Sequence, residues 1–588
     1  MLRKALIICL AAALFFSTIS FAENAAKEAC DKGAEYASKG DLDGAIGAFG
    51  HAVEADPSYA PAYFNRGNAY EAKSLYDDAL SDYNEAIVLK PRYAEAFINR
   101  GNIYYKRGEY DKALLDYMKA LGIDSSRSEA YVNLALTYTR LSQYDQALFY
   151  YDKAIESDDD ASLYLDRGKV YNEKEMFDDA LADFNKAVKL MPDSSDAYLN
   201  MGLTYARKGR YDDAILEYNR SIELDSKNAE SYLGRAISLA NKTQNEKAMS
   251  DINKALELNP QYAEAYLNRG NLYFNQGQND LSISDYNKAI ELNQQYAEAY
   301  FNRGVVYVKR GEFNQAIYDY TKAIDIRPDH AQILFNRANA YLSQGDVDSA
   351  ISDFTKSIES NKNDIDYYIN RGIAYARKGL AEEAINDFKK ALEINPKSPA
   401  AFFNLALIYD GKIQYEDSLK YYAKAIEVNP KYIEAYLNRG IIYSNRTQYD
   451  QAIANFNKAI SIDPKNPEGY FNRGLVYDNN GNYDKALADY NKFIELNPNH
   501  VSGYVNRGII YVKKALYDNA IDDFDKVIEL NPQSANAYFN KALVSEKVGR
   551  IKDAIEAYKN FIKYATPQLA AYVNGAKDKI LELEKANR

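Results

Sequence analysis

Residues 433–466 read IEAYLNRGIIYSNRTQYDQAIANFNKAISIDPKN, and this stretch decides the fold. Its apolar residues fall at helical spacing in two runs, separated by a short polar turn. Tyr436, Gly440 and Tyr443 share one face of a first helix, and Ala452, Phe456 and Ala459 share one face of a second. Pro464 has no backbone N–H to donate and marks the exit. The stretch predicts two antiparallel helices, too little chain to enclose a core alone.

The same pattern runs outward in both directions. From Ala26 to Leu569 it recurs every 34 residues, sixteen times, with repeats starting at 26, 60, 94, 128, 161, 195, 229, 263, 297, 331, 365, 399, 433, 467, 501 and 535. The repeat starting at 128 is one residue short, with Ser157-Asp158-Asp159-Asp160 at its end. Such repeats bury their apolar faces only by stacking on neighbours. The reading is therefore an all-α solenoid spanning 23–569, with 570–588 as a final polar capping helix.

Position 8 of each repeat is Gly or Ala, and position 20 is Ala or Ser. Position 24 is aromatic except at Ile252, and position 11 is Tyr except at Leu239 and Ser545. Small residues let the paired helices approach, and rings fill what remains. This usage explains 55 Tyr and no Trp. The repeats starting at 128 and 229 depart most from the pattern and are the expected bends or soft points.

Hydrophobic residues make up 47% of the chain and charged residues 27%, a foldable composition. Arg3 and Lys4 precede an apolar run from Ala5 to Phe16, and Ser20-Phe21-Ala22 ends on a small residue. Residues 1–22 thus read as a signal peptide cut before Glu23, with the periplasm as first compartment and secretion as second. No other segment is apolar and long enough to span a bilayer. The formal charge of −12 argues against nucleic acid or an anionic membrane as partner. After cleavage Cys30 is the one remaining cysteine, either a plain helix-face residue or the origin of an intermolecular bridge.

The aromatic-x-x-x-Gly-x-x-Tyr…Ala-x-x-x-aromatic…Pro pattern resembles the tetratricopeptide repeat. The resemblance implies a right-handed superhelix of helix pairs whose first helices line a concave, protein-binding face.

Two positions depart from the family's usual residues. Position 7 is Arg in eleven repeats, and ten of these carry Asp sixteen residues later. Arg66 with Asp82, Arg269 with Asp285, Arg303 with Asp319 and Arg507 with Asp523 are examples; Arg439 has Asn455 instead. Leu134 with Tyr150 and Leu405 with Tyr421 read as the apolar version of the same contact. These are expected to be structural ion pairs rather than anion sites.

Position 6 is Asn in thirteen repeats: Asn65, Asn99, Asn133, Asn200, Asn268, Asn302, Asn336, Asn370, Asn404, Asn438, Asn472, Asn506 and Asn540. Helix propensity does not explain Asn mid-helix, and an amide offers both donors and acceptors to a peptide backbone. The row resembles the asparagine ladder in the tetratricopeptide region of O-linked N-acetylglucosamine transferases, which implies a grip on extended peptide. The competing reading is that each Asn fixes the stacking of neighbouring helices. Position 9 turns apolar toward the C-terminus, as in Ile373, Leu407, Ile441, Leu475, Ile509 and Leu543, where side-chain anchors are expected. Position 2 is acidic in nine repeats, which favours basic flanks on a ligand.

No cluster has metal-ligand spacing, and no phosphate loop or nucleophile elbow occurs. The expectation is a non-enzymatic scaffold without cofactor or metal, binding extended segments of other proteins, in envelope assembly or secretion. The alternative is a targeting subunit for an envelope enzyme, such as a glycosyltransferase, carried on another chain. Saccharide binding by surface tyrosines is a weaker third reading.

Overall fold

The computed structural model describes residues 21–586, so the signal segment lies almost wholly outside the described residues. The described secondary structure is helical throughout, with no strand among the described residues. The helices come in pairs. In the quoted stretch Ile433–Asn445 is followed by Tyr449–Ile462, and the same lengths recur in Ala60–Ala72 with Tyr76–Leu89. From Ala60 to Ala535 a first helix begins at the residue that opens each repeat. Met1–Gln294 and Gln295–Arg588 form two compact bodies, and each is an all-α solenoid of such hairpins.

The turn inside each hairpin needs one left-handed residue. Gly supplies it at Gly108 and Gly311, but Ser74, Thr243 and Ile413 also adopt φ near 60°. Between hairpins the chain leaves the second helix in an extended conformation, as at Asp463 (ψ 96°).

The small residue at position 8 admits the ring at position 24 of the same hairpin. A Cβ on Gly67 would lie 2.8 Å from Tyr83 Cε1, and one on Gly304 would lie 2.7 Å from Tyr320 Cε1. Tyr83, Tyr320, Phe354 and Phe388 are all fully buried by this fit. Each such ring contributes about 2–3 kcal/mol of burial. The repeat starting at 229 has Leu239 and Ile252 in place of rings, and Leu239 lines an open hollow of about 420 Å³ together with Ile215 and Arg235.

Within each body, successive first helices touch one another, as do Ser195–Arg207 and Ala229–Asn241, or Ile433–Asn445 and Pro467–Asn479. Second helices stand further apart, so the first helices form the tighter, inner row. The last hairpin is closed by Ala570–Ala586, which buries Ala576 and Leu583 against Tyr558 and Phe561.

Candidate functional site

Ten of the eleven position-7 arginines bind the aspartate sixteen residues on. Arg269 donates from Nε and Nη2 to the two oxygens of Asp285, at 2.7 and 2.8 Å, while its Nη1 donates to Asn253 of the preceding hairpin at 2.9 Å. Its guanidinium also lies 5.4 Å from the Tyr266 ring centroid. Arg66–Asp82, Arg303–Asp319 and Arg507–Asp523 repeat the two-pronged contact. Arg507 also reaches back to Asn491. Each arginine therefore joins the two helices of its own hairpin, and most also tie that hairpin to the one before. Burial holds the Asp319 carboxyl above its ordinary range although Arg303 opposes the shift. At positions 134 and 405, Leu packs in the same clusters as Tyr150 and Tyr421.

The position-6 asparagines are all half-buried, and seven of them use their amides in one of two ways. Asn99 and Asn133 donate across the seam to Asn68 and Asn102, at 2.8 and 2.9 Å. The same two oxygens accept from the Tyr83 and Tyr117 hydroxyls. In contrast, Asn200, Asn268, Asn336, Asn370 and Asn404 donate to the carbonyl four residues back in their own helix. Asn65 stands against Cys30, a buried free thiol that burial raises to about 11. Asn302, Asn438, Asn472, Asn506 and Asn540 occupy the same place on their first helices. At Gly234, where the row is interrupted, the Tyr218 ring takes the space: a Cβ there would meet it at 2.5 Å.

Around the short repeat, the inner face encloses a hollow of about 700 Å³. Positions 6, 9, 12 and 13 of successive first helices line it, including Tyr105, Leu136, Lys169, Asn172, Asn200 and Leu203. Asn133 and Asn102 line a smaller neighbouring hollow of about 250 Å³. The walls mix apolar stems, amides and both signs of charge, and the helices that form them are held by their own hairpins. Toward the C-terminus, Leu407, Ile441 and Leu543 leave apolar side chains exposed on the same positions.

Two regular sets of contacts were not read from the sequence. Position 14 pairs with the position-18 acid one hairpin earlier, as in Lys73–Asp43 and Lys412–Glu382. The acids are exposed, so each pair contributes little. Position 13 reaches position 12 of the preceding hairpin, as when Arg140 donates to the Tyr105 hydroxyl and Arg207 to the Asn172 carbonyl. Both sets follow a fixed spacing of 30 or 35 residues, which comparison of basic and acidic positions between repeats would have exposed.

Among the described residues no group of His, Cys, Asp and Glu could hold a metal ion, and no helix is long and apolar enough to cross a membrane.

Sequence profiles described as "TPR repeat" match residues 33–74, 168–345 in overlapping segments, and 446–481. Profiles described as "Tetratricopeptide repeat" match 60–126, 128–160, 331–454 and 467–556. No curated protein matches the chain. Among solved structures it is similar to YrrB, "a TPR protein with an unusual peptide-binding site", at 27% identity over 31% of this chain and 95% of that one, with a TM-score of 0.28. MamA is 30% identical over 28% of this chain and 95% of its own, with a TM-score of 0.26. Yeast Tom70 is 19% identical over 77% of this chain and 96% of its own, with a TM-score of 0.34. Folds built from this repeat are typically non-catalytic, and the chain, matched along almost all of its repeats, is a protein–protein interaction scaffold that belongs to the tetratricopeptide repeat family.

Proposed function

We propose that this scaffold is exported, has no catalytic activity of its own, and holds extended segments of partner proteins against its inner row of first helices. The observation that carries the reading is the hollow of about 700 Å³, whose lining combines Asn200 and Asn172 with apolar Leu136 and Leu203. Apolar walls with a few placed polar groups suit a side chain and its backbone together. Export rests on Arg3, Lys4 and the apolar run that follows them. A role in assembling an envelope or secretion complex fits an exported scaffold of this family.

The test is capture by crosslinking. A photo-reactive residue at Leu203, in the hollow, is compared with one at Leu216, exposed on a second helix. A folded variant carrying Asn302→Ala, Asn336→Ala, Asn370→Ala and Asn404→Ala is run beside the wild type. The expected result is partner capture at 203 and not at 216, with weaker capture by the quadruple variant. Equal capture by that variant removes the asparagine row from the mechanism, and capture at 216 alone overturns the inner-face reading.

A further inference from the structure

Four hairpins carry an acid at position 12 of the first helix: Glu71, Asp410, Asp478 and Glu546. Three of the four have a basic partner. Lys106 binds Glu71 at 2.8 Å, Lys513 binds Asp478, and Lys579 of the closing helix binds Glu546 at 2.8 Å. Two of these acids also accept from the buried position-24 tyrosine of their own hairpin, Tyr83 to Glu71 at 2.9 Å and Tyr558 to Glu546 at 2.8 Å.

Asp410 breaks this arrangement twice. The residue 35 positions on, where Lys106 and Lys513 stand relative to their acids, is the exposed Asn445. Tyr422, the position-24 ring of the same hairpin, is 0% exposed, and its hydroxyl has no hydrogen-bond partner. Burial raises that hydroxyl's pKa, Asp410 adds to the rise, and the Asn438 amide, near but short of hydrogen-bond geometry, opposes it, so both lie close by. Burial alone pushes the Asp410 carboxyl above its ordinary range, with no cation to bring it down. Tyr490 is also unpartnered, but there the acid Asp478 is held by Lys513. Only at Asp410 are the acid and the ring hydroxyl both unmatched.

We infer that Asp410 is the socket for the lysine or arginine side chain of a bound extended peptide, the incoming cation standing where Lys106 and Lys513 stand in the sister hairpins and the Tyr422 hydroxyl lying behind the acid, as Tyr83 lies behind Glu71. This inference rests on the inner-face reading above. The ammonium or guanidinium meets the carboxylate, and the aliphatic stem lies over the exposed Leu407 and Ile441. A half-buried carboxylate with no partner favours a cation over a neutral guest.

The test uses the full chain and short random peptides displayed on phage, followed by synthesis of the selected sequences. The selected peptides are expected to share a Lys or Arg. Replacing that residue by norleucine, which keeps the stem and removes the charge, is expected to weaken binding roughly tenfold. Asn445→Lys supplies the internal partner seen in the sister hairpins. It is expected to keep the fold and abolish the difference between the lysine and norleucine peptides, as is Asp410→Asn. Selected peptides with no shared basic residue, or an undiminished lysine preference in Asn445→Lys, overturn the socket alone. Failure of any peptide to bind overturns both the socket and the inner-face reading. Binding that survives the quadruple asparagine change but still depends on Asp410 removes the asparagine row and keeps the socket.

Discussion

Arg439 donates its Nε to the amide oxygen of Asn455 at 2.8 Å, in the place where ten other arginines grip an aspartate. Asn455 donates one amide hydrogen to the Gln451 carbonyl at 2.8 Å. With no carboxylate opposite, burial draws the Arg439 pKa below its ordinary value. Asn455→Asp restores the two-pronged contact, and a charge-assisted bond in place of a neutral one should add about 1 kcal/mol of stability. A higher urea midpoint at neutral pH is the expected outcome. An unchanged or lower midpoint would mean that desolvating the new carboxylate cancels the pair.

Removing one partner of a buried pair is expected to cost more than replacing both. Asp285→Ala leaves the Arg269 guanidinium buried against Tyr266 without its anion, a loss of about 3 kcal/mol. Arg269→Leu with Asp285→Tyr imitates the natural Leu134 and Tyr150, and should stay within about 1 kcal/mol of the parent. Urea titrations of the single and double variants check this, and additive single effects would show that the two side chains are not coupled.

Asp160 closes the short repeat by capping the helix Ala161–Glu173, accepting from the Ser162 backbone N–H at 2.7 Å. The Ser162 hydroxyl and then its backbone N–H hold the carboxyl below its ordinary value. Its folded-state pKa is thus depressed. The stabilisation is present above the unfolded-state value and is lost as pH falls through the folded-state value. Asp160→Ala should cost about 1 kcal/mol at pH 7, and the gap to the wild type should close below roughly pH 4. A gap that stays constant down to pH 3 would assign the effect to something other than the charged cap.

Ile413 occupies the left-handed turn position with φ 60° and is 71% exposed. A β-branched side chain is strained there and has little burial to lose. Ile413→Gly, matching Gly311 and Gly379 at the same position of other repeats, should stabilise by about 1 kcal/mol. A lower melting temperature in the variant would contradict this.

The hairpin is legible in the sequence because its parts lie within one repeat. Gly67 and Tyr83 are sixteen residues apart and keep their small-residue and ring character from repeat to repeat, with Ile252 the exception, while Arg66 and Asp82 vary together as a pair of opposite charges. Contacts between hairpins are harder to read, because they depend on how far one repeat slides along the next. The Arg269 bond to Asn253, the Asn99 bond to Asn68 and the Lys106 bond to Glu71 all cross such a seam. Gly234 illustrates the difference. In the sequence it is a missing amide, and in the fold it is the space taken by Tyr218. The asparagine row itself was visible, but its division into seam-crossing and back-bonded members depends on which carbonyl each amide reaches.

That division determines what a guest chain has to bring. Asn200, Asn268, Asn336, Asn370 and Asn404 have each given one amide N–H to their own helix, which leaves the second N–H and the side-chain oxygen of each. Under the proposed function a guest strand would meet that N–H with its carbonyls and that oxygen with its main-chain amides, and a proline-rich or N-methylated strand would lose only the second kind of contact.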